Sequence, residues 1–197
     1  MSKHNIRKMY KYAQANLTQD EIADAIIWYD IALGEATSIA QDLDMPVYIV
    51  VAVMAALSPN NKWERNKVNA YELCKAFQDG QDMDSVKVST YHKMKLKAWT
   101  ILEVIPDYET AKLMLKGKKI ISFYSNIMGE DDITIDGHAR NIAYNERVGL
   151  TDAKTSIGVK EYASLQKEYL TVAKEYGLLG RQLQAITWVA WKRKHNI

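Results

Sequence analysis

Residues 115–140 read LKGKKIISFYSNIMGEDDITIDGHAR, and this stretch decides how the fold is interpreted. A glycine precedes two lysines, an apolar segment at helical spacing follows them, and the acidic turn Glu130–Asp132 comes next. The stretch then reaches Asp136, whose short side chain is typical of the residue that caps the first turn of a helix. It therefore predicts a helix from Lys119 to Met128, a turn, and a further helix that begins at Asp136.

The rest of the chain also favours helices. Only 9 of its 197 residues are glycine and 3 are proline, while 48% are hydrophobic, which is enough for a proper core. Thr18 and Glu21 have the spacing of a capping box at the start of a helix. Residues 47–57 are apolar on every side, which is typical of a buried central helix. Because β-hairpin signals are nearly absent, we expect an all-α protein.

Charge and cysteine content exclude several classes of protein. The net charge of +2 means that any nucleic-acid surface must be local. Cys74 is the only cysteine, which excludes a disulfide framework and a four-cysteine iron–sulfur cluster. The four histidines lack metal-ligand spacing, so we expect no metal and no cofactor. The longest apolar run is too short to span a bilayer and the N-terminal residues lack a signal-peptide core, so we expect a cytoplasmic protein with no membrane partner.

Asp136 and the two lysines at 118 and 119 have the sharpest chemical interpretation. A helix of roughly ten residues is about 15 Å long, and the turn after it can return Asp136 toward the lysines. A carboxylate there can stabilise the positive charge that grows on a sugar while a glycosidic bond breaks. A desolvated lysine can attack the anomeric carbon. The alternative is structural: Asp136 caps a helix, and Lys118 and Lys119 are surface cations.

Four segments, in order, resemble the helix-hairpin-helix DNA glycosylase superfamily, which includes endonuclease III and 8-oxoguanine glycosylase. Gly117–Lys119 resembles the Gly-x-Lys that ends the family's hairpin, and Ile135–His138 resembles its Val-Asp-x-His. Leu57–Lys67 is similar to the Leu-Ser-x-Gln…Asn-Lys segment that contributes a base-wedging residue. Tyr91–Leu102 is similar to the helix ahead of the hairpin. Residues 113–117 depart from the family's Leu-Pro-Gly-Val-Gly, because they retain only one glycine.

The resemblance implies a helical bundle of two lobes with the active site between them. Within a single domain of residues 1–197, it makes residues 45–145 a central core with the hairpin. Residues 1–44 and 146–197 would pack together as the second lobe. The catalytic lysine stays open: counting back from Asp136 favours Lys118, whereas the register of the hairpin favours Lys119, which we prefer.

The resemblance also implies contacts with DNA and with a base that has been flipped out of the stack. The candidate DNA contacts are Asn60, Asn61, Lys116, Gly117, His138 and Arg140, and the candidate base-pocket residues are Tyr124 and Trp63. These candidates also have structural alternatives. The asparagines would be ordinary loop residues, His138 a buried structural histidine, Arg140 a solvated arginine, and Tyr124 and Trp63 core aromatic residues.

The function implied by the resemblance is that of a DNA N-glycosylase, a hydrolase that would also act as a lyase if the lysine is the nucleophile. Phage-borne relatives resemble residues 117–127 still more closely, which points to a modified base in duplex DNA and to phage DNA modification or phage defence. We expect a monomer. The alternatives are a transferase or pyrophosphorylase that acts on hypermodified DNA, and an inert DNA-binding module.

Overall fold

The computed structural model describes residues 2–150 and 152–197, and these residues are helical with no strand. The all-α prediction is therefore confirmed. The described residues form eleven α-helices: α1 (Ser2–Asn16), α2 (Gln19–Ile26), α3 (Trp28–Asp42), α4 (Val47–Leu57), α5 (Trp63–Gln78), α6 (His92–Val104), α7 (Tyr108–Leu115), α8 (Lys118–Ile127), α9 (Gly137–Tyr144), α10 (Val159–Glu175) and α11 (Gly180–His195). Short 3₁₀ turns occur at Met83–Ser85 and Ala153–Thr155.

The chain divides into two compact units. Unit 1 contains the residues up to Tyr29 together with those from Gly129 onward, and unit 2 contains Asp30–Met128. The boundaries thus differ from those expected at residues 45 and 145. The difference matters for Asp136, which belongs to unit 1 because the neighbouring Ile133 and Ile135 are buried in the core of that unit.

Unit 2 is built around α4. Every residue of this helix from Ile49 to Leu57 is buried, and α5, α6, α7 and α8 all contact it. The apolar sequence of α4 predicts this central position, because a helix without a polar face can be stable only when neighbours surround it. The helix ends at Leu57 although Ser58, the residue before Pro59, keeps α-region backbone angles (φ −69°, ψ −28°), because Pro59 has no N–H with which to continue the helical hydrogen bonds.

Unit 1 is built from both ends of the chain. Helix α1 packs against α9, α10 and α11, and α2 packs against α11. Thr18 forms the predicted capping box, in which its hydroxyl accepts from the Glu21 amide and the Glu21 carboxylate accepts from the Thr18 amide. The apolar spacing after Thr18 predicts one long helix, whereas the structure breaks it at Ile27 into α2 and α3.

Within residues 2–150 and 152–197 no single helix is long and apolar enough to cross a membrane. Helices α3 and α4 together have the length and composition of a membrane span, but the chain bends by 117° at their junction.

Candidate functional site

Asp136 is held at the start of α9 in unit 1. Its Oδ1 accepts a hydrogen bond of 2.8 Å from the amide of Ala139, and its backbone is extended, as in an ordinary helix N-cap. Asp136 therefore forms the predicted helix cap, and a catalytic role for it stays a prediction. The cap occupies only one carboxylate oxygen, and among the described residues none donates a side-chain or backbone hydrogen bond to Oδ2. Asp136 is half-buried, so its charge is partly shielded from water.

Buried tyrosine hydroxyls fix the backbone on both sides of Asp136. The hydroxyl of Tyr162 donates to the carbonyl of Ile133 and accepts from the amide of Ile135, both at 3.1 Å. The hydroxyl of Tyr169 donates to the carbonyl of Ala139 at 3.1 Å. Each of these hydroxyls satisfies backbone groups that would be costly to bury without a partner. The segment 133–139 is thus anchored before and after the carboxylate.

A third tyrosine contacts the same segment. The hydroxyl of Tyr29 donates to Oε1 of Gln184 at 3.1 Å and lies 3.3 Å from Oγ1 of Thr134. The sequence places Tyr29 on the apolar face of a helix, but its polar contact cannot be read from that spacing. We call Tyr29, Tyr162 and Tyr169 the tyrosine clamp.

The charge of Asp136 affects the pKa of Tyr169, one residue of the tyrosine clamp. Burial raises the pKa of Tyr169 far above its ordinary value, and the negative charge of Asp136 raises it further. Both effects keep the hydroxyl of Tyr169 protonated, so it remains a hydrogen-bond donor to Ala139. The ring is fully buried, which also prevents it from moving away from the segment.

The lysines of the quoted stretch lie in unit 2, on the turn between α7 and α8. Lys116 and Gly117 form this turn with φ angles of 47° and 94°, and the side chain of Lys97 donates to the carbonyls of Leu115 and Lys116. The pKa of Lys97 is lowered, first by burial and then by the charges of Lys116 and Lys93. Helices α7 and α8 thus meet at a tight turn with one glycine, where Lys97 holds the carbonyl end of α7.

Lys118 and Lys119 are both exposed to solvent. Because both are exposed, the structure does not show the desolvated lysine that a nucleophile requires, and this role stays a prediction. Asp136 belongs to unit 1 and the lysines belong to unit 2. Their convergence on one pocket stays a prediction.

The loop after α4 presents one of the two candidate asparagines. Asn60 is exposed and adopts a φ of 54°, so it lies at the tip. Asn61 turns inward instead, where its amide donates to the carbonyl of Leu57 at 3.2 Å and to Oδ1 of Asn69 at 3.4 Å. The DNA contact expected for Asn61 is corrected to a structural role, because its side chain fastens the loop to α4 and α5.

Of the two candidate base-pocket residues, both in unit 2, Tyr124 is buried and Trp63 is half-buried. Tyr124 exposes none of its surface, and its ring centroid lies 5.4 Å from that of Tyr108. The indole of Trp63 donates to Glu35 at 2.8 Å and packs edge-to-face against Phe123 at 6.2 Å. Tyr124 therefore has no open face for a base in this structure, whereas the half-buried Trp63 is held by Glu35 and Phe123 and its role in a base pocket stays a prediction.

Arg140 does not have the position of a phosphate contact. Its side chain is buried, its guanidinium donates to Glu146 at 2.7 Å, and it lies 4.7 Å from the ring centroid of Tyr144. Asn145 explains this pairing, because its left-handed backbone (φ 53°) folds the chain so that the amide of Glu146 bonds to α9. The expectation that Arg140 meets DNA is corrected to an internal ion pair.

His138 keeps an accessible position. It is half-buried, its ring lies 6.2 Å from that of Trp188 in an edge-on arrangement, and it lines an open cleft of unit 1. Its neighbour Gly137 leaves room for Leu150, because a Cβ there would lie only 2.6 Å from the Leu150 side chain.

In the part of the chain that the structure describes, no group of three or more His, Cys, Asp or Glu side chains is arranged to hold a metal ion. No curated protein matches the chain significantly, and no solved structure does. A family model, described as a family of unknown function, matches residues 2–195. The chain therefore belongs to this family, DUF7178.

Proposed function

We propose that the protein is a DNA glycosylase that releases a modified base, with Asp136 as its catalytic carboxylate. The observation that carries the proposal is the anchoring of segment 133–139 by the tyrosine clamp, which fixes a half-buried carboxylate whose Oδ2 accepts no bond from the described residues. A charge that is fixed before the reaction needs no reorganisation in the transition state, and this is the arrangement that gives electrostatic catalysis its effect.

The reaction assigned to the site is hydrolysis. The bond between C1′ of the sugar and the base nitrogen breaks, its electron pair leaves with the base, and the base takes up a proton. Positive charge develops on C1′ and O4′ of the sugar, where the carboxylate of Asp136 stabilises it. A water molecule then adds to C1′ and gives a proton to Oδ2 of Asp136 or to solvent, which leaves an abasic site.

Water is proposed as the nucleophile in place of a lysine. A lysine acts as a nucleophile when burial or a neighbouring cation removes its proton, and Lys118 and Lys119 are exposed. We assign these side chains, together with Lys116, to the phosphates of the DNA. The first backbone amides of α8 point outward at the N-terminal end of the helix, and the helix dipole favours an anion there.

Asn60 is proposed as the residue that enters the gap left by the flipped base. Its loop is rigid enough for this role. Thr90 donates to the carbonyl of Pro59, and Ser58 and Asn61 donate to carbonyls at the end of α4. These bonds hold the loop on both sides of Asn60, while the Asn60 side chain itself is exposed to solvent.

The test is incubation of the purified protein with unmodified, hydroxymethylated and glucosylated genomic DNA, followed by mass spectrometry of the released bases and a count of abasic sites. We expect release of one modified base and an equal number of abasic sites. Tight binding to every DNA with no base released from any would contradict the enzyme and favour the DNA-binding module.

A further inference from the structure

Unit 1 has an open cleft that the proposed chemistry does not use. It has a volume of about 460 Å³ and lies between α9, the loop after α9 and α11. Val148, Leu150 and Trp191 supply an apolar wall, and Arg147 and Lys192 supply two cations. The volume is within the range of about 300–1,000 Å³ that is typical of small-molecule sites.

The cations of the cleft differ from three other arginines of unit 1. Arg7 pairs with Glu175, Arg140 with Glu146 and Arg193 with Glu21. Arg147 instead donates to the carbonyl of His195 at 3.2 Å, and Nζ of Lys192 lies 4.4 Å above the ring of Trp188. Among the described residues neither cation has a carboxylate within ion-pair distance, so both keep a charge that could pair with an anion.

The pKa of His195 is affected by the same positive charge. Its pKa is lowered, first by burial and then by the charges of Arg147 and Lys194, and no carboxylate offsets them. Its Nε2 is buried and accepts or donates no hydrogen bond among the described residues. The surroundings of His195 therefore oppose a further positive charge.

The structural alternative explains only part of the cluster. Lys192 and Lys194 lie in the last turn of α11, where cations interact favourably with the helix dipole. Arg147 lies on a different segment, after α9, and its exposed guanidinium reaches the same place. The bond to the His195 carbonyl is also a contact with the C-terminal end of α11, so the helix end accounts for the position of Arg147 but supplies no carboxylate to pair with its charge.

We infer that the cleft binds the phosphate ester of a nucleotide, with Arg147 and Lys192 on the phosphate and Val148 and Leu150 against the sugar or base. An arginine suits this role because its planar guanidinium forms two parallel hydrogen bonds with phosphate oxygens. The phosphate is supplied either by a DNA strand, a source that rests on the proposed function, or by a free nucleotide.

The test compares the wild-type protein with the double variant Arg147→Gln/Lys192→Gln. The control variant Lys160→Gln/Lys167→Gln removes the same charge from exposed positions of α10 that do not line the cleft. Thermal melting verifies that each variant is folded. Binding of a labelled oligonucleotide of ordinary sequence is measured by fluorescence anisotropy over a salt series, and binding of a deoxynucleoside monophosphate is measured by calorimetry.

We expect the cleft variant to bind the oligonucleotide about tenfold more weakly, with a salt slope that is smaller by about 1, as for the loss of one phosphate contact. Loss of oligonucleotide binding alone assigns the cleft to a strand, and loss of monophosphate binding alone assigns it to a free nucleotide. Equal losses in the cleft and control variants, or no loss of either ligand, would overturn the inference.

The inference and the glycosylase fail in different ways. If the wild type releases a base but the cleft variant binds both ligands normally, the cleft is wrong and the enzyme stands. If no DNA yields a released base while the cleft variant loses a ligand that the control retains, the cleft stands and the glycosylase is wrong.

Discussion

Segment 133–139 in unit 1 and the turn 115–119 in unit 2 come from one continuous stretch of sequence, yet the structure treats them differently. The first is anchored by three buried tyrosine hydroxyls and contains a half-buried carboxylate. The second is exposed and is fastened mainly by Lys97. A group that must stabilise a transition state needs fixed surroundings, whereas a cation that contacts phosphate does not. The comparison therefore supports the proposal that Asp136 carries the chemistry and that the lysines bind DNA.

The largest effect is expected from Asp136→Asn, which removes the charge and keeps the cap. We expect base release to fall about 10³-fold, because the charge that stabilises the transition state is lost. The melting temperature should change little, since asparagine caps a helix about as well as aspartate. Mass spectrometry of released base measures the first effect and thermal denaturation the second.

Asp107→Asn is the matched control for that variant. Asp107 caps α7 through a bond of 2.8 Å from the Thr110 amide, the same length as the bond from Ala139 to Asp136. Asp107→Asn should leave base release unchanged. If both variants lose activity equally, the assignment of Asp136 is wrong.

Tyr162→Phe tests the anchoring itself. It leaves the carbonyl of Ile133 and the amide of Ile135 buried without their partner, so we expect a loss of about 3 kcal/mol in the free energy of unfolding. Urea denaturation measures the loss. Tyr144→Phe, which removes a half-buried bond of 2.9 Å to Glu161, should cost about 1 kcal/mol and serves as the control. An equal cost for both variants would argue against a special role for Tyr162.

Gly117→Ala tests the turn between α7 and α8. The backbone of Gly117 (φ 94°, ψ 120°) is strained for any residue with a Cβ, so we expect a loss of about 2 kcal/mol although the surrounding space is open. Gly34→Ala, at an exposed position inside α3, should instead stabilise by about 1 kcal/mol. Chemical denaturation of both variants measures these changes in the free energy of unfolding. A stabilising effect of Gly117→Ala would show that the turn is not constrained.

Tyr169→Phe links the clamp to pH. The raised pKa of Tyr169 gives stability that is fully present below the ordinary tyrosine pKa of 10.0 and is lost as the pH rises toward the folded value. The variant should lose about 1 kcal/mol at neutral pH, because the bond to Ala139 is removed. Above pH 10 the wild type should lose stability faster than the variant. Parallel curves of unfolding free energy against pH would contradict this expectation.

The smallest effect on the chemical step is expected from Lys118→Ala/Lys119→Ala. Both side chains are exposed, so base release at saturating DNA should change by less than about twofold, while DNA binding weakens at low salt. Borohydride should trap no covalent complex with the wild type. A trapped complex that disappears in this variant would restore the lysine as nucleophile and make the enzyme a lyase.

The sequence by itself determines the parts of this protein that depend on neighbours along the chain. The capping box at Thr18, the buried α4 and the cap at Asp136 were all predicted, because a cap joins residues three positions apart and an apolar helix needs only its own composition to be recognised. The candidate site residues were also recognised from the order and spacing of residues along the chain.

Only the tertiary structure decided the surroundings of those residues. Tyr162 and Tyr169 meet segment 133–139 from 27 to 30 residues away, and Trp63 meets Glu35 from 28 residues away. Arg140 looks like a phosphate contact in the sequence and becomes an internal ion pair once Asn145 reverses the chain. Such contacts depend on which helices pack together, and helical spacing shows that a side chain faces inward without showing what it meets there.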